Sequence, residues 1–252
     1  MQILKVENIS KIYGTKKNSN KYTALKNISF EVKQGDFIGV MGASGSGKTT
    51  LLNILGSLDK PTTGRFMMNG NEIGKLDKNE LAKHRMENIG FIFQDYNLLE
   101  TMTLKENIIL PLALMGKDVK TIEAKLSDLA EKMGIAHVIG KYPYEVSGGE
   151  QQRAAACRAL INNPKMILAD EPTGNLDSKS GKDLLNLLTY INTEYKATIL
   201  MVTHDVFAAS YCQKILFIRD GEIYNELYAG SDKKQFFDSI IDVMSMLGGE
   251  RK

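Results

Sequence analysis

The sequence predicts an α/β fold built on a mainly parallel sheet with antiparallel additions. Compact runs rich in Ile, Val, Leu and Phe alternate with segments of helical periodicity, as in strand–helix–strand units. Two pairs, Asn69-Gly70 and Asp220-Gly221, lie between strand-like flanks, and such pairs are the strongest short-range signal of a β-hairpin. The 252 residues are long for one compact domain and short for two. We therefore expect an α/β core with added hairpins and a helical insertion.

The first compact strand spans residues 37–41 and ends in a glycine-rich loop. The apolar residues that follow at helical spacing are Leu51, Leu52, Ile54, Leu55 and Leu58. This order predicts a strand, a loop and a helix.

The later elements follow from the same patterns. The predicted hairpins span 66–73 and 215–223, and the further compact strands span 89–93, 165–169 and 197–202. The apolar residues that share one face of the inserted helix are Ile122, Leu126, Leu129 and Met133, and Gly134 follows as a helix stop.

Composition is that of an ordinary soluble globular protein, with 43% hydrophobic and 25% charged residues. The 32 basic and 30 acidic residues are interspersed, and the net charge is +2. A local basic excess, formed by Lys16, Lys17 and Lys21, surrounds Asn18–Asn20 in a predicted solvated loop. Nucleic-acid binding needs a concentrated basic face, so no nucleic-acid partner is predicted.

Cys157 and Cys212 are far apart in the sequence and have no metal-ligand spacing around them. They are expected to be free core thiols in a reducing compartment. Residues 1–11 lack the charged and apolar regions of a signal peptide, and no apolar run approaches the ~18 residues needed to span a bilayer. We therefore expect a soluble, cytoplasmic protein whose membrane role, if any, comes through a partner.

A phosphate-binding loop follows the first compact strand. Its residues are Gly42, Ala43, Ser44, Gly45, Ser46, Gly47, Lys48 and Thr49, with Thr50 next to it in the predicted nucleotide site. The glycines let backbone N–H groups close around phosphate oxygens, Lys48 brings positive charge to the β- and γ-phosphates, and the Thr49 hydroxyl can ligate Mg²⁺. Because the loop follows a strand and opens a helix, nucleotide binding is predicted.

Two acids, Asp170 and Glu171, end another apolar strand. An acidic pair after a strand is by itself more often an exposed turn. Beside a phosphate loop, however, Asp170 is suited to holding Mg²⁺ and Glu171 to accepting a proton from an attacking water. We therefore predict a metal ligand and a general base.

Three further residues carry weaker signals. His204 ends a strand and could hydrogen-bond a γ-phosphate, although most isolated histidines are structural. Gln94 could ligate Mg²⁺ or orient water, although a Gln at a strand end usually faces solvent. Tyr13 could stack on an adenine ring, although tyrosines at loop starts commonly pack.

One short stretch breaks the usual rules of helix formation. Ser147 and Glu150 have the spacing of a capping box at a helix N-terminus. Gly148 and Gly149 lie between them, and each costs roughly 1 kcal/mol relative to Ala inside a helix. Capping does not explain these glycines.

Taken together and in this order, these residues resemble the ATP-binding subunit of ABC transporters. The matching motifs are the aromatic loop at Tyr13, Walker A at Gly42–Thr49, the Q-loop at Gln94, the signature at Val146–Glu150, Walker B at Met166–Asp170 with Glu171, the D-loop at Asn175–Asp177 and the switch histidine His204. The resemblance covers essentially the whole chain. It implies a P-loop NTPase (RecA-like) core with an antiparallel β subdomain and a helical signature subdomain.

The resemblance also implies domain limits and a mechanism. The ATP-binding domain is expected at 1–230, with its helical subdomain at 95–161, and a helical tail at 231–252. Glu171 would activate water while Mg²⁺ and Lys48 neutralise the phosphates.

The signature of this family binds the nucleotide held by a second copy, so that two subunits enclose two ATP molecules. Gly148 and Gly149 would then lack side chains because backbone N–H groups must approach the γ-phosphate. Asp177 is expected in the same nucleotide site. The family usually has Gln where this chain has Glu150, and our hypothesis is that Glu150 turns back to cap its own helix.

Longer stretches narrow the resemblance to one branch. Residues 170–177 are similar to ATPases of lipoprotein-release, macrolide-export and cell-division complexes. Residues 90–100 and 235–242 are similar to ATPases of bacitracin- and lantibiotic-resistance transporters. That branch implies an integral membrane permease, a sensor histidine kinase in some systems, and a location on the cytoplasmic face of the cell membrane.

Two surfaces have open interpretations. Asp95–Glu100, which we call the docking segment, is either an apolar surface for the permease or a core turn. The apolar stripe of the tail, formed by Phe236, Ile240, Met244 and Leu247, is expected to pack on its own domain or at the dimer interface.

The process that ATP hydrolysis by this chain would drive also has alternative interpretations. The chain could drive a permease-like, mechanotransmitting partner that transports nothing, as in lipoprotein-release or cell-division complexes. It could also report antibiotic load to a kinase. A soluble ribosomal or DNA-repair ABC protein is disfavoured, because the chain has neither two cassettes nor a coiled-coil insertion.

Overall fold

The structure is a computed structural model that describes residues 1–14 and 21–249. Its strands are β1 (Gln2–Tyr13), β2 (Tyr22–Lys33), β3 (Phe37–Met41), β4 (Thr63–Met68), β5 (Asn71–Glu72), β6 (Ile89–Phe93), β7 (Met166–Asp170), β8 (Thr198–Val202), β9 (Lys214–Arg219) and β10 (Glu222–Tyr228). Its α-helices are α1 (Lys48–Leu55), α2 (Lys78–Asn88), α3 (Leu104–Leu114), α4 (Val119–Lys132), α5 (Gly148–Leu160), α6 (Ser178–Tyr195), α7 (Val206–Ala209) and α8 (Lys233–Gly249). The predicted solvated loop with Lys16, Lys17 and Asn18–Asn20 lies outside the described residues.

The chain divides into two compact units. The first unit contains Met1–Leu81 and Thr198–Lys252, and the second contains Ala82–Ala197. The division falls within α2. The domain limits expected from the sequence, at 230 and 231, remain a prediction.

The first unit contains an antiparallel sheet in the order β2-β1-β4-β5. The predicted hairpin between β4 and β5 is confirmed, with Asn69 at φ 50° and Gly70 at φ 81°. The long strands β1 and β2 were not predicted. Left-handed residues at Asn8 and Asn27 interrupt their pairing, and such bulges shift the inward and outward alternation by which strands are recognised.

The first unit also contains the parallel strands that carry the phosphate loop. β3 pairs in parallel with β8 and β9, and the predicted hairpin at Asp220-Gly221 joins β9 to β10. The predicted α/β class is therefore confirmed. The helix after the loop is also confirmed, and its apolar face is buried. The prediction for Leu58 was wrong: α1 ends at Leu55, and Leu58 lies beyond it with 53% of its surface exposed.

The second unit combines one parallel strand pair with helices. β6 and β7 are parallel, and α3 and α5 pack on each other. The predicted inserted helix is α4, which buries Ile122 and Leu126 and is followed by Gly134 at φ 66°. Cys157 is fully buried in α5, as expected of a core thiol, and burial raises its pKa.

The tail helix α8 belongs to the first unit. It packs against α7 and β10 and buries Phe236 and Ile240 of the predicted stripe, together with Val243. Met244 and Leu247 are half-buried, so packing of the stripe on its own domain is confirmed for Phe236 and Ile240. Cys212 is also buried, and burial raises its pKa.

Within residues 1–14 and 21–249, no helix has the length and apolar character required to cross a membrane.

Candidate nucleotide-binding site

The phosphate loop is held in a conformation that only glycine adopts easily. Gly42, Gly45 and Gly47 have φ angles of 155°, 77° and 105°, in the region that side chains disfavour. A β-carbon on Gly42 would collide with the carbonyl oxygen of Ile218, and one on Gly47 with that of Ala24. The backbones of β9 and β2 therefore press against the loop and fix its shape.

The positive charge of the loop is already directed inward. Lys48 is 6% exposed, and its ammonium group donates to the carbonyl oxygens of Gly42 and Ala43, both at 2.9 Å. Lys48 is also the first residue of α1, whose N-terminus has no side-chain cap. A helix N-terminus with a lysine beside it attracts anions, so this arrangement suits a phosphate group.

The other predicted site residues of the first unit lie at the surface. Tyr13 ends β1 with 40% of its surface exposed. Thr49 is exposed and Thr50 half-buried, both in the first turn of α1. His204 is exposed just after β8, where Asp205 caps the short helix α7. Solvent can therefore reach these side chains.

In the second unit, three predicted site residues lie at the carboxyl ends of two neighbouring strands, namely Gln94, Asp170 and Glu171. Phe93 of β6 is the register partner of Asp170 in β7, so Gln94 and Glu171 follow neighbouring strand ends. Glu171 has φ 44°, a left-handed conformation that is uncommon for a residue other than glycine. Such backbone strain is concentrated at functional sites, and it sets Glu171 apart from an ordinary turn residue.

Gln94 and the D-loop are joined by hydrogen bonds. The Gln94 side-chain amide donates to Asn175 Oδ1 at 3.1 Å, and the Asn175 amide donates to Asp95 Oδ1 at 2.7 Å. Asp177 caps α6 by accepting from the backbone N–H groups of Lys179 and Ser180, each at 3.0 Å. The sequence prediction did not include this capping role of Asp177.

The signature begins α5 with a capping box, as predicted. Glu150 Oε2 accepts from the backbone N–H of Ser147 at 2.8 Å and from its hydroxyl at 2.7 Å. These hydrogen bonds from the Ser147 side chain and backbone lower the pKa of Glu150 below its ordinary value. The His137 ring lies 3.4 Å from the same carboxylate. The hypothesis that Glu150 turns back on its own helix is confirmed.

The two signature glycines have close neighbours within their own unit. A β-carbon on Gly148 would lie 2.8 Å from the Tyr96 hydroxyl oxygen. A β-carbon on Gly149 would lie 3.1 Å from Ser180 Oγ. Packing inside the chain is therefore one reason for glycine here. The approach of a phosphate from a second copy stays a prediction.

Comparison with known proteins decides the family. The family described as ABC transporter matches residues 25–174, which run from β2 past the acids of β7. This chain belongs to the ABC transporter family. As an ABC ATPase it binds and hydrolyses ATP, which the motif order predicted.

Individual relatives span nearly the whole ABC ATPase. The uncharacterized ABC transporter ATP-binding protein YvcR of Bacillus subtilis (strain 168) is 51% identical over 99% of this chain and 96% of that protein. Bacitracin export ATP-binding protein BceA of Halalkalibacterium halodurans is 50% identical over 99% of this chain and 98% of that protein. These similarities are consistent with the predicted branch.

A solved relative has the same fold. The dimeric, post-hydrolysis structure of the ATP-binding cassette MJ0796 with ADP and Pi superposes with a TM-score of 0.83 at 38% identity. The match covers 91% of this chain and all of that chain. The P-loop cassette fold predicted for this ABC ATPase is therefore confirmed, and the relative supports dimerisation.

Sequence reasoning missed Arg158 in this ABC ATPase. Its guanidinium group donates to the carbonyl oxygens of Tyr96 and Asn97, at 2.8 Å for Tyr96. Both acceptor residues have left-handed φ angles, 61° and 49°. Burial lowers the pKa of Arg158. An arginine within the apolar run 154–160 was the available signal, since a charge in a buried helix face needs polar partners.

The docking segment is an ordered turn with one exposed apolar side chain. Leu99 is 45% exposed, while Tyr96 and Leu98 are half-buried. Asn107 is fully buried in α3, and its side chain bonds both the N–H and the carbonyl of Leu99, at 2.7 and 3.0 Å. The segment thus has features of both interpretations, a packed turn and an apolar surface.

Proposed function

We propose that this ABC ATPase drives a membrane permease that handles or detects antimicrobial peptides. The observation that carries the proposal is the 50% identity, over nearly full length, to a protein named bacitracin export ATP-binding protein. Motifs shared by all ABC ATPases cannot distinguish this branch from others, whereas identity that extends from β1 to α8 can.

Nucleotide binding begins with the base and the phosphates. Tyr13 stacks on the adenine ring, and the backbone N–H groups of the phosphate loop surround the β- and γ-phosphates. When ATP binds, the Lys48 ammonium group turns from the carbonyl oxygens of the loop toward the phosphates. Its hydrogen bonds within the loop are then replaced by contacts with the ligand. The buried position of Lys48 supports this role, because a buried ammonium requires an anion or carbonyl oxygens.

The proposed Mg²⁺ ligands are Thr49, Gln94 and Asp170. Their hydroxyl, amide and carboxylate oxygens are the hard donors that suit Mg²⁺, which is commonly held by one or two carboxylates together with phosphate oxygens. When bound, the ion neutralises charge on the phosphates.

Glu171 is the proposed general base, and His204 hydrogen-bonds the γ-phosphate. The carboxylate of Glu171 accepts a proton from the attacking water, a contribution of roughly 10²–10⁴ in rate for such groups. The left-handed backbone at Glu171 supports this assignment, because the strain must be maintained by its surroundings.

A second copy completes each site. Ser147 and the N-terminal N–H groups at Gly148 and Gly149 of one copy contact the γ-phosphate held by the other, and Asp177 lies in the same proposed interface. The capping contact of Glu150 supports this approach of the signature to the phosphate, because its carboxylate accepts hydrogen bonds from Ser147 of the same helix. ATP closes the dimer, and hydrolysis lets it reopen.

The docking segment receives the permease. Leu99 supplies exposed apolar surface, and the hydrogen bonds between Asn175 and both Gln94 and Asp95 connect this segment with the D-loop. We place the protein peripherally on the cytoplasmic face of the membrane, bound through the permease, with a sensor histidine kinase as a further proposed partner.

The deciding measurement is peptide-stimulated ATP hydrolysis by the chain reconstituted with its proposed permease partner. A peptide antibiotic should raise turnover severalfold, and Lys48→Ala should abolish ATP binding and turnover as the control. If hydrolysis is robust but unaffected by any peptide, the mechanotransmitting or lipoprotein-release and cell-division alternative would replace this proposal.

A further inference from the structure

Three side chains of the first unit form a compact network around the proposed adenine-stacking residue. Lys11 Nζ lies 2.6 Å from Asp59 Oδ1, and the Tyr13 hydroxyl donates to Asp59 Oδ2 at 2.8 Å. Lys11 also donates to the carbonyl oxygen of Lys60 at 2.8 Å. Both oxygens of one carboxylate are therefore used, one for the lysine and one for the tyrosine.

Lys11 also covers one face of the Tyr13 ring. Its ammonium nitrogen lies 4.7 Å from the ring centroid, within the range of a cation–π contact. Tyr13 nevertheless keeps 40% of its surface exposed. With a cation against one face, the opposite face is the one available to a flat ligand.

The network is attached to the helix that begins at the phosphate loop. The Tyr13 hydroxyl also contacts the side chain of Thr50, in the first turn of α1. Asp59 lies just beyond the other end of α1, and its N–H bonds the carbonyl oxygen of Asn53 within that helix. The Tyr13 hydroxyl is thus linked to α1, the helix that carries Lys48, near both ends: through Thr50 at its start and through Asp59 beyond its end.

The electrostatics keep this network charged at neutral pH. Burial acts to raise the pKa of Asp59, but hydrogen bonds from Lys11 and Tyr13 outweigh it, so the pKa lies below the ordinary value. Burial, together with the hydrogen bond to Asp59, raises the pKa of Tyr13, which stays a neutral phenol. The carboxylate and phenol are therefore in the protonation states that the observed bonds require.

We propose that Asp59 and Lys11 are positioning residues that hold the Tyr13 ring ready to stack on the nucleotide base. This rests on the proposed role of Tyr13 in binding ATP. A side chain fixed before binding loses less rotamer freedom when the ligand arrives, which corresponds to roughly three- to tenfold in affinity. In this role Asp59 and Lys11 act through the Tyr13 ring.

The test compares two ligands on the full chain by calorimetry in Mg²⁺ buffer. ATP has a base that can stack, and inorganic tripolyphosphate has none. Asp59→Asn removes one acceptor oxygen and the charge that holds Lys11, and Tyr13→Phe removes only the hydroxyl. Each should weaken ATP binding roughly three- to tenfold and leave tripolyphosphate affinity within about twofold.

Two controls make the result specific. Glu7→Gln alters a carboxylate of the same sheet that pairs with Lys5 and Arg65 at 2.6 and 2.7 Å, and it should change neither affinity. Combining Asp59→Asn with Tyr13→Ala should cost no more than Tyr13→Ala alone, because the ring on which Asp59 acts is then absent.

The outcomes separate the inference from the proposed function. Equal loss for both ligands, no loss for either, or an undiminished Asp59→Asn effect in the Tyr13→Ala background would overturn the positioning role. Should Asp59→Asn fail to fold, Tyr13→Phe decides in the same way. ATP affinity unaffected by Tyr13→Ala would instead remove the proposed stacking role and the inference with it.

Discussion

The phenol oxygen of Tyr96 lies 2.8 Å from the point that a β-carbon on residue 148 would occupy. The same hydroxyl donates to the carbonyl oxygen of Asn175 at 3.3 Å. Tyr96 belongs to the docking segment, Gly148 to the signature and Asn175 to the D-loop. The Tyr96 side chain therefore links its own segment to two others, and the ABC family implies a separate role for each of the three.

Gly148→Ala should lower the free energy of unfolding by about 1 kcal/mol, because overpacking outweighs the gain in helix propensity. In a Tyr96→Phe background, Gly148→Ala should no longer be destabilising, because the nearest remaining atom of the ring is 3.6 Å from the new β-carbon. Urea unfolding measures both effects.

ATP hydrolysis by the same double variant tests the second reason for glycine. If the signature backbone approaches a phosphate of another copy, Gly148→Ala with Tyr96→Phe should fold normally yet lose at least tenfold in turnover. Tyr96→Phe alone is the matched control for the lost hydroxyl. Full recovery of turnover in the double variant would leave packing as the whole explanation of Gly148.

Glu171→Gln should reduce turnover by 10²-fold or more while ATP still binds, because the amide cannot accept the proton of the attacking water. The uncleaved nucleotide should then hold two copies together, and light scattering in saturating Mg-ATP should report a dimer. Lys48→Ala in the same background should be monomeric. A monomeric Glu171→Gln protein under these conditions would contradict the proposed sandwich.

Glu150→Gln should change ATP affinity and turnover by less than tenfold, because residue 150 faces Ser147 rather than the ligand. A larger gain in either quantity would mean that the carboxylate had been repelling the triphosphate.

The same substitution should flatten the acid limb of the stability profile. The folded pKa of Glu150 is lowered, so its stabilisation is complete above the unfolded pKa of about 4.3 and is lost as pH falls through the folded pKa. Thermal unfolding between about pH 5 and 3 should therefore show a smaller loss for Glu150→Gln than for the unaltered chain.

Arg158→Met should lower the free energy of unfolding by about 2 kcal/mol, because charge-assisted hydrogen bonds to Tyr96 and Asn97 are lost while most of the side-chain volume remains. Arg65→Met is the control, since its ion pair with Glu7 is exposed to solvent, which weakens the attraction between the two charges. Denaturant unfolding of both variants gives the comparison, and equal losses would argue against a structural role for Arg158.

The sequence was informative where chemistry is encoded in consecutive residues. The phosphate loop, the capping box of Ser147 and Glu150, and both tight hairpins depend on local backbone needs that particular residue types reveal. The contact between Tyr96 and Gly148 joins residues 52 positions apart in the chain, and no local pattern specifies it.

Other failures have equally local causes. The bulges at Asn8 and Asn27 hid two long strands, and Leu58 fitted a helical period although α1 had already ended. The Lys11–Asp59 pair also escaped notice, because each residue alone resembles an ordinary surface charge. Tertiary pairing gives these residues their significance.

Asn107 holds the turn that carries the exposed Leu99 in a fixed conformation. Its buried amide also donates to the carbonyl oxygens of Met102 and Thr103, so the turn around Leu99 is fastened by one side chain on α3. Most of the conformational entropy of this turn was therefore lost when the chain folded. A partner protein that binds at Leu99 contacts a side chain on a rigid turn. The residence time of that complex should therefore depend on shape complementarity more than on loop rearrangement.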